Sequence, residues 1–386
     1  MKIAWVSPFP PQKSGIANYS YWLVKALGRH AEIELYYEDG QSVPQLLDCR
    51  AWPLSLLTEN HSRYDQVIYH LGNEADFHRR IYEFAWNLPG TIVLHDYNLS
   101  GFMYEAFYRS GNPLYEKALI EGYGDEGRNE LQNIRRRHAT DSLRFPMSHA
   151  LVNRSKAVVV HHRWVKNQFP VKDHIKVIPH FAKLNYQPSG TDLENFREQF
   201  AIKPNHFVVS CLGFINTNKL PLLQIQVIQR LLNEGYPVQM LFAGAPDKSV
   251  EKLAIEITRG KDVGNFIFTG YLDERDYFSA IDLSDVVINL RNPSMGEASG
   301  TLMHSLAAAK PTIVSDVNQY KEFPDQVCWK LSHDENGSEL LYMYLKRLLS
   351  DVGLRSAISA NAARYVDEVL SYDKMSALWL RTILKG

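Results

Sequence analysis

Cysteine is scarce in this 386-residue chain. Cys49, Cys211 and Cys328 are far apart, odd in number and form no CxxC pair. A disulfide framework or a zinc ribbon is therefore excluded, and a reducing compartment is expected. No apolar run approaches the ~18 residues that suggest a membrane span. Neither sign of charge dominates: 42 Lys plus Arg face 43 Asp plus Glu. A dedicated nucleic-acid binder would carry a basic excess. Fourteen histidines are present, but no HExxH or comparably tight ligand spacing, so no metal site is expected. Short repeats and low-complexity tracts are also missing. The opening MKIAWVSPFP is too short and Pro-rich for a signal peptide and is expected to begin the fold as a strand.

What is present is an ordinary globular composition, 45% apolar and 22% charged, in a chain too long for one core and comfortable for two. Strand-like and helix-like segments alternate. KIAWVS leads through PFPPQKSG into IANYSYWLVKAL, where Ile16, Tyr19, Leu23, Ala26 and Leu27 recur at helical spacing. Further strand-like runs are EIELYY, QVIYH, TIVLH, AVVVH and KVIPH; four of them end in His. Residues 182–204 are polar and turn-rich and are expected to form a linker. A second series follows: HFVVSCLG, a helix over 219–233, PVQMLFAG, a helix near 247–259, NFIFTG, a helix near 273–281, DVVINLR and PTIVS. The strands are continuously apolar, as when helices cover both sheet faces. The pattern predicts two doubly wound α/β domains in tandem. The charged stretch 120–145 is expected to be a solvated helical insertion.

Two stretches of the second half and three of the first carry candidate chemistry. In SMGEASGTLMHSLAAAKP, a loop gives way to a helix near Ser299, whose first amides, at Gly300 and Thr301, with the helix dipole suit an anion. Glu297 would repel that anion but could accept hydrogen bonds from hydroxyls beside it. The alternative is structural: Ser299 caps a core helix and Glu297 favours its positive end. In CLGFINTNKLPLLQIQ, Gly213 ends a strand and Lys219 stands at a helix start, where the dipole disfavours a cation unless an anion is bound. The alternative is an exposed Lys. In the first half, Gly15 permits close backbone approach before a helix, His95 and Asp96 follow a strand, and so do His70, Gly72, Asn73 and His78. Asp96 either orients His95 or caps the next helix.

Together these stretches resemble retaining glycosyltransferases of the GT-B fold, glycosyltransferase family 4. The resemblance rests on GFINTNK (213–219), FTGYL (268–272), LRNPSMGEASG (290–300), AAAKPTIVSDV (307–317) and YKEFPD (320–325), with HLGN, LHD and VVVHHRW in the first half. Three departures stand out. The family's E-x7-E pair, aligned on Lys310 and Pro311, falls on Gly296 and His304, so Glu297 is one residue off the first acid and the second is absent. Phe214 replaces an Arg, which shifts phosphate charge onto Lys219 and Arg291. Ala309 replaces a Gly.

The resemblance implies two Rossmann-like domains across a cleft: residues 1–181 with a returning C-terminal helix at 371–386, and 205–370. Met375, Leu378, Leu380 and Ile383 are the expected contacts of that returning helix. It implies transfer of a sugar from a UDP- or GDP-type donor, with retention, to a glycan or lipid-linked glycan. Glu297, Lys219 and His95 are the implied catalytic residues, with Glu297 on the sugar hydroxyls and His95 near the reacting face. Gly15, Gly213, Asn218, Lys219, Tyr271, Leu272, Arg291, Glu297, Ala298, Ser299, Gly300 and Thr301 would surround the donor; Asn73, His78 and Asp96 would face the acceptor. With no DxD motif, neither metal nor other cofactor is expected, and His304 is a candidate for the missing acid's role. A cytoplasmic protein, with contact at the inner membrane face, is the implied setting; nucleic acid is not an expected partner. Two other readings share the architecture: a nucleotide-sugar epimerase, which would act on donor alone, and a non-catalytic protein that binds a sugar nucleotide.

Overall fold

The computed structural model describes residues 1–41, 48–136, 141–258 and 264–384. Its contacts divide the chain into two units. The first comprises Met1–His180, Met295–Ala298 and Asp373–Gly386; the second comprises Phe181–Ser294 and Ser299–Tyr372.

In the first unit the apolar runs become seven strands: β1 Lys2–Val6, β2 Glu32–Tyr37, β3 Ala51–Pro53, β4 Gln66–Leu71, β5 Thr91–Leu94, β6 Ala157–Val160 and β7 Ile175–Val177. Their order is β3-β2-β1-β4-β5-β6-β7, and every pairing is parallel. Parallel neighbours require crossovers, which helices supply, so both faces are covered and the strands are apolar throughout. Ser14 caps the first crossover helix, Gly15–Leu27, by accepting the Ile16 N–H at 3.2 Å. Leu23, Val24 and Leu27 on that helix are buried.

The second unit holds six strands: β8 Phe207–Leu212, β9 Val238–Ala243, β10 Phe266–Phe268, β11 Val286–Asn289, β12 Thr312–Ser315 and β13 Cys328–Leu331. Their order is β10-β9-β8-β11-β12-β13, again all parallel. In each sheet the strand order reverses once, between β1 and β4 and between β8 and β11. The carboxyl ends of strands at such a reversal diverge and leave a crevice for a ligand.

Three expectations need correction. Residues 182–204 are not simply a linker. Ser189 and Asp192 form a reciprocal capping box that starts a helix over Gly190–Gln199. Phe196 on that helix is wholly buried with Val208, Leu241 and Phe278, so the segment is part of the second core. The stretch at 120–145 is not simply solvated either. Its helix, Leu114–Arg135, is kinked at Gly124 and buries Leu119, Leu131 and Ile134; residues 137–140 lie outside the described residues. The helix near 247–259 spans Lys248–Thr258, and residue 259 lies outside them too.

The third correction concerns the C-terminal segment. Asp373–Gly386 clusters with the first unit, but its principal anchor is Trp379, which was not among the expected contacts. This side chain is fully buried and its Nε1–H donates to the Tyr19 hydroxyl at 3.1 Å. Met375 and Ile383 are buried beside it, Leu378 and Leu380 only partly. Residues 385–386 lie outside the described residues. Among the described residues no helix is long and apolar enough to cross a membrane.

Candidate functional site

In the second unit the crevice between β8 and β11 collects much of the sequence-predicted donor set. β8 ends at Leu212 and the chain turns at Gly213, whose φ of 76° lies in the left-handed region. A Cβ there would sit 2.8 Å from Thr301 Cγ2 and 3.5 Å from Lys219 Nζ, so only glycine lets these groups close on one another. Lys219 ends a short turn, Thr217–Lys219, rather than standing inside a helix. Leu220 then takes a left-handed conformation and Pro221 opens the helix Pro221–Asn233. The Gln224 amide donates to the Lys219 carbonyl at 2.6 Å and pins this corner.

The Lys219 side chain is not exposed. It is 4% accessible, and its ammonium donates to the Leu212 carbonyl at the end of β8. Burying an ammonium is costly unless charge and hydrogen bonds compensate it. Opposite, Ser299 caps the helix Gly300–Ala307 by accepting the Leu302 N–H at 3.3 Å. Ser299 also donates to Asn289 Oδ1 at 3.3 Å, and Thr301 Oγ1 donates to the same atom at 3.0 Å. The helix itself has no use for the amides of Gly300 and Thr301. A Cβ at Gly300 would meet nothing within 4 Å, so the space over this helix start is open. A cation and two helix-start amides thus gather at one strand end, a donor set suited to a phosphate group, while the two hydroxyls spend their protons on Asn289 and brace the helix start.

Other residues of the donor set belong to the same unit. The Asn218 carbonyl accepts the Asn292 N–H at 2.8 Å. Arg291 is held by its own N–H to Ser315 Oγ at 2.7 Å, while its guanidinium donates to the Leu290 carbonyl at 2.7 Å. Tyr271 exposes its side chain, and Leu272 packs partly into the core. His304, at the position of the family's second acid, has Nδ1 3.2 Å from the Tyr277 hydroxyl and its ring against Phe278. Asn289 was missed by sequence reasoning. The available signal was a polar residue closing the buried run VVIN.

Glu297 and Ala298 belong by their contacts to the first unit, not to the helix they precede. Glu297 pairs with Asp96 in an antiparallel bridge. The Ala298 N–H donates to the His95 carbonyl at 2.8 Å, and the Asn98 N–H to the Met295 carbonyl at 2.9 Å. Gly296 has a φ of 70°, and a Cβ there would lie 2.7 Å from Tyr97 Cβ and 3.0 Å from the Trp164 ring. Its place is therefore set by packing. Glu297 Oε2 accepts the Met295 N–H at 2.8 Å, closing the loop on itself. The structural alternative holds for Ser299, which caps the helix Gly300–Ala307; the first turn of that helix holds no acid.

The histidines at the strand ends of the first unit come together because β4, β5 and β6 are neighbours. His70 Nδ1 lies 3.0 Å from His95 Nε2, and His95 Nδ1 lies 3.2 Å from His161 Nε2. His161 Nδ1 then meets the Ile178 carbonyl at 2.9 Å. A carbonyl can only accept, so His161 carries its proton on Nδ1 and presents a lone pair at Nε2. The same logic puts the protons of His95 and His70 on Nδ1, giving a one-directional chain of neutral rings. Tyr19 packs against His70, His95, His161 and His180, with ring centroids 4.7 to 5.9 Å away. Burial, and then the His161 ring, hold His70 and His95 well below the usual imidazole value; burial and then His180 do so for His161. His78, whose Nδ1 faces the His70 carbonyl at 3.2 Å, is lowered by burial to about 4. Burial, with His180, lowers His162 to about 4 as well.

Both His95 ring nitrogens are thus engaged by other histidines, which leaves no ring nitrogen for a sugar. What His95 presents is its carbonyl, already on Ala298. Asp96 Oδ2 accepts the Asn73 N–H at 2.9 Å and so orders the loop after β4, not His95. Gly15 opens its helix with nothing within 4 Å of a built Cβ. Among the described residues no group of three His, Cys, Asp or Glu side chains is placed to hold a metal ion.

No protein-family model matches the chain, and no curated protein sequence matches it. Solved structures do. Sucrose-phosphate synthase from Thermosynechococcus elongatus is 15% identical, with a TM-score of 0.67 over 100% of this chain and 98% of that one. HepE from Anabaena, solved in complex with UDP-glucose, is 17% identical, with a TM-score of 0.68 over 100% of both chains. WaaG, a glycosyltransferase involved in lipopolysaccharide biosynthesis, is 14% identical, with a TM-score of 0.63 over 99% of both. At such identities the likeness shows the fold: two Rossmann-like parallel-sheet units of the GT-B architecture.

Proposed function

We propose that the protein is a glycosyltransferase that takes a hexose from a UDP- or GDP-type donor and transfers it with retention of anomeric configuration to a glycan or a lipid-linked glycan. The observation that carries this reading is the cradle at the end of β8, where Gly213 lets Lys219 approach Thr301 at the start of the helix Gly300–Ala307. Its chemistry suits a diphosphate, the leaving group of a nucleotide sugar. As the glycosidic bond breaks, negative charge grows on the diphosphate oxygen, and donors already fixed in place stabilise that charge without reorganising. Lys219 supplies the positive charge, and Gly300 and Thr301 supply amides. Support from fold comes from neighbours such as HepE, solved with UDP-glucose. Glu297 is the carboxylate nearest in sequence to this helix start. Its proposed role is to accept hydrogen bonds from hydroxyls of the transferred sugar.

Incubation with UDP-glucose, GDP-mannose and related donors in the presence of neutral and lipid-linked glycans, followed by proton NMR of the product, tests this. An α-linked product from an α-linked donor is expected. A β-linked product contradicts retention. Sugar isomerisation without acceptor identifies an epimerase instead.

A further inference from the structure

The first unit contains a cavity of about 500 Å³ that the cradle does not include, within the usual range of roughly 300–1,000 Å³ for small-molecule sites. It lies beyond the ends of β4 and β5. Its polar wall is formed by Asn73, Glu74, Ser100, Glu105 and Ser142, and its aromatic wall by Phe102, Tyr104 and Tyr115. Among the described residues, neither Lys, Arg nor His lines it.

Two features show that the wall is built. The first is backbone geometry. Tyr104–Tyr108 is a π-helical turn, with the Arg109 N–H on the Tyr104 carbonyl at 3.1 Å and the Asn112 N–H on the Phe107 carbonyl at 2.9 Å. Such turns are frequent at functional sites, although the described residues include two others, at Val366–Leu370 and Leu380–Leu384. This one leaves Tyr104 43% exposed while stacking its ring on Tyr108, centroids 5.2 Å apart at 24°, with Tyr115 behind Tyr108 at 5.0 Å. The second is Asn98, a buried residue outside the cavity. Its Oδ1 accepts from Ser100 N–H at 2.9 Å and Ser100 Oγ at 2.6 Å, and its Nδ2 donates to the Ser142 carbonyl at 2.6 Å. One side chain therefore fixes two separate parts of the wall. The Asn73 side chain secures a third, accepting the Phe102 N–H at 3.0 Å.

We infer that this cavity binds the ring of an uncharged carbohydrate, with Tyr104 as the stacking platform and the carboxylates of Glu74 and Glu105 accepting from its hydroxyls. This rests on the glycosyl-transfer reading only in making that ring part of the acceptor. The chemistry selects the ligand. A pyranose offers C–H faces to an aromatic ring and hydroxyl donors to carboxylates. A phosphate or pyrophosphate offers neither and would meet two carboxylates with no cation among the described lining residues. Glu105 also accepts from the Arg109 guanidinium at 2.6 Å. The pre-stacked Tyr104 loses little freedom on binding.

Saturation-transfer NMR on the full chain tests this with a panel of neutral methyl glycosides and disaccharides and with glucose 6-phosphate, all at millimolar concentration. Tyr104→Ala is the variant, since an exposed side chain can be truncated without opening the core. At least one neutral sugar should bind, Tyr104→Ala should weaken it about tenfold, and glucose 6-phosphate should not compete. Silence across the neutral panel, equal binding by Tyr104→Ala, or preference for the phosphorylated sugar overturns the inference. Thermal stabilisation by UDP and GDP, read on the same samples, separates the two readings. Nucleotide response without sugar binding removes the cavity alone; Tyr104-dependent sugar binding without nucleotide response removes the transfer reading alone.

Discussion

Replacing Lys219 with methionine should lower donor turnover by about 10²–10³-fold while leaving the protein folded. The size is that of losing one fixed stabiliser of charge that develops in the transition state. Methionine is the informative substitution because Lys219 is buried. Alanine would open a cavity against the core and confuse stability with activity. Methionine fills much of the stem's volume and removes the ammonium. The Leu212 carbonyl loses the lysine's hydrogen bond, so a modest drop in melting temperature accompanies the change. The backbone of the corner stays held by Gln224 and by the left-handed Leu220. Turnover within about threefold of wild type, in a folded Lys219→Met protein, would remove the phosphate role of this residue.

Acid should destabilise the first unit between about pH 6 and pH 4. His78 and His162 titrate near 4 in the folded protein, against roughly 6.5 when unfolded. Between those values the unfolded chain binds more protons, so stability falls as pH falls through that window and levels off below the folded values. At pH 5 each contributes a loss of about 2 kcal/mol. His70, His95 and His161 are lowered too, chiefly by burial, and act in the same direction. Protonating His95 or His161 would also put a proton on Nε2, the nitrogen that must accept in the chain. Against a total stability of about 5–15 kcal/mol, His78 and His162 alone remove about 4 kcal/mol at pH 5, so the melting temperature should fall steeply through this window. Tryptophan fluorescence suits the measurement, since Trp5 lies 4.8 Å from the His70 ring and Trp379 6.0 Å from Trp5. A melting temperature unchanged from pH 7 to pH 5 would show that these rings are not held neutral by the fold.

The parallel sheets were legible because buried strands read as continuous apolar runs and the helices between them carry a 3.6-residue period. The cradle was legible for a similar reason. Gly213, Lys219 and Ser299–Thr301 each sit where a strand meets a helix, and such junctions are marked by local residue types. Burial of Lys219 was not legible, because it depends on β8 and on the helix start at Gly300. Asn289 was hidden in a strand, and its function depends on hydroxyls ten and twelve residues away.

The strand-end histidines were visible as a pattern. Their hydrogen-bonded row depends on the order β4-β5-β6, which no local signal states. Glu297 shows the same limit more sharply. Its sequence neighbours suggest a helix start, but its contacts are with residues two hundred positions earlier. The segment at 182–204 shows the opposite error. A Ser-Gly pair suggested a turn, while Asp192, three residues after Ser189, marked a capping box.

Thermal unfolding of the full chain with UDP, GDP, UMP, GMP and inorganic phosphate, all at one concentration set near a hundredfold excess over the dissociation constant of the tighter-binding diphosphate, addresses the proposed nucleotide-sugar site most directly. A ligand bound only by the folded state stabilises it by about 2.7 kcal/mol under that condition, an increase of about 5–10 °C for a unit of this size. One nucleoside diphosphate should produce that shift, its monophosphate a smaller one, and Lys219→Met should abolish most of the difference. No shift with any nucleoside diphosphate, or equal shifts for diphosphate, monophosphate and the Lys219→Met variant, would contradict it.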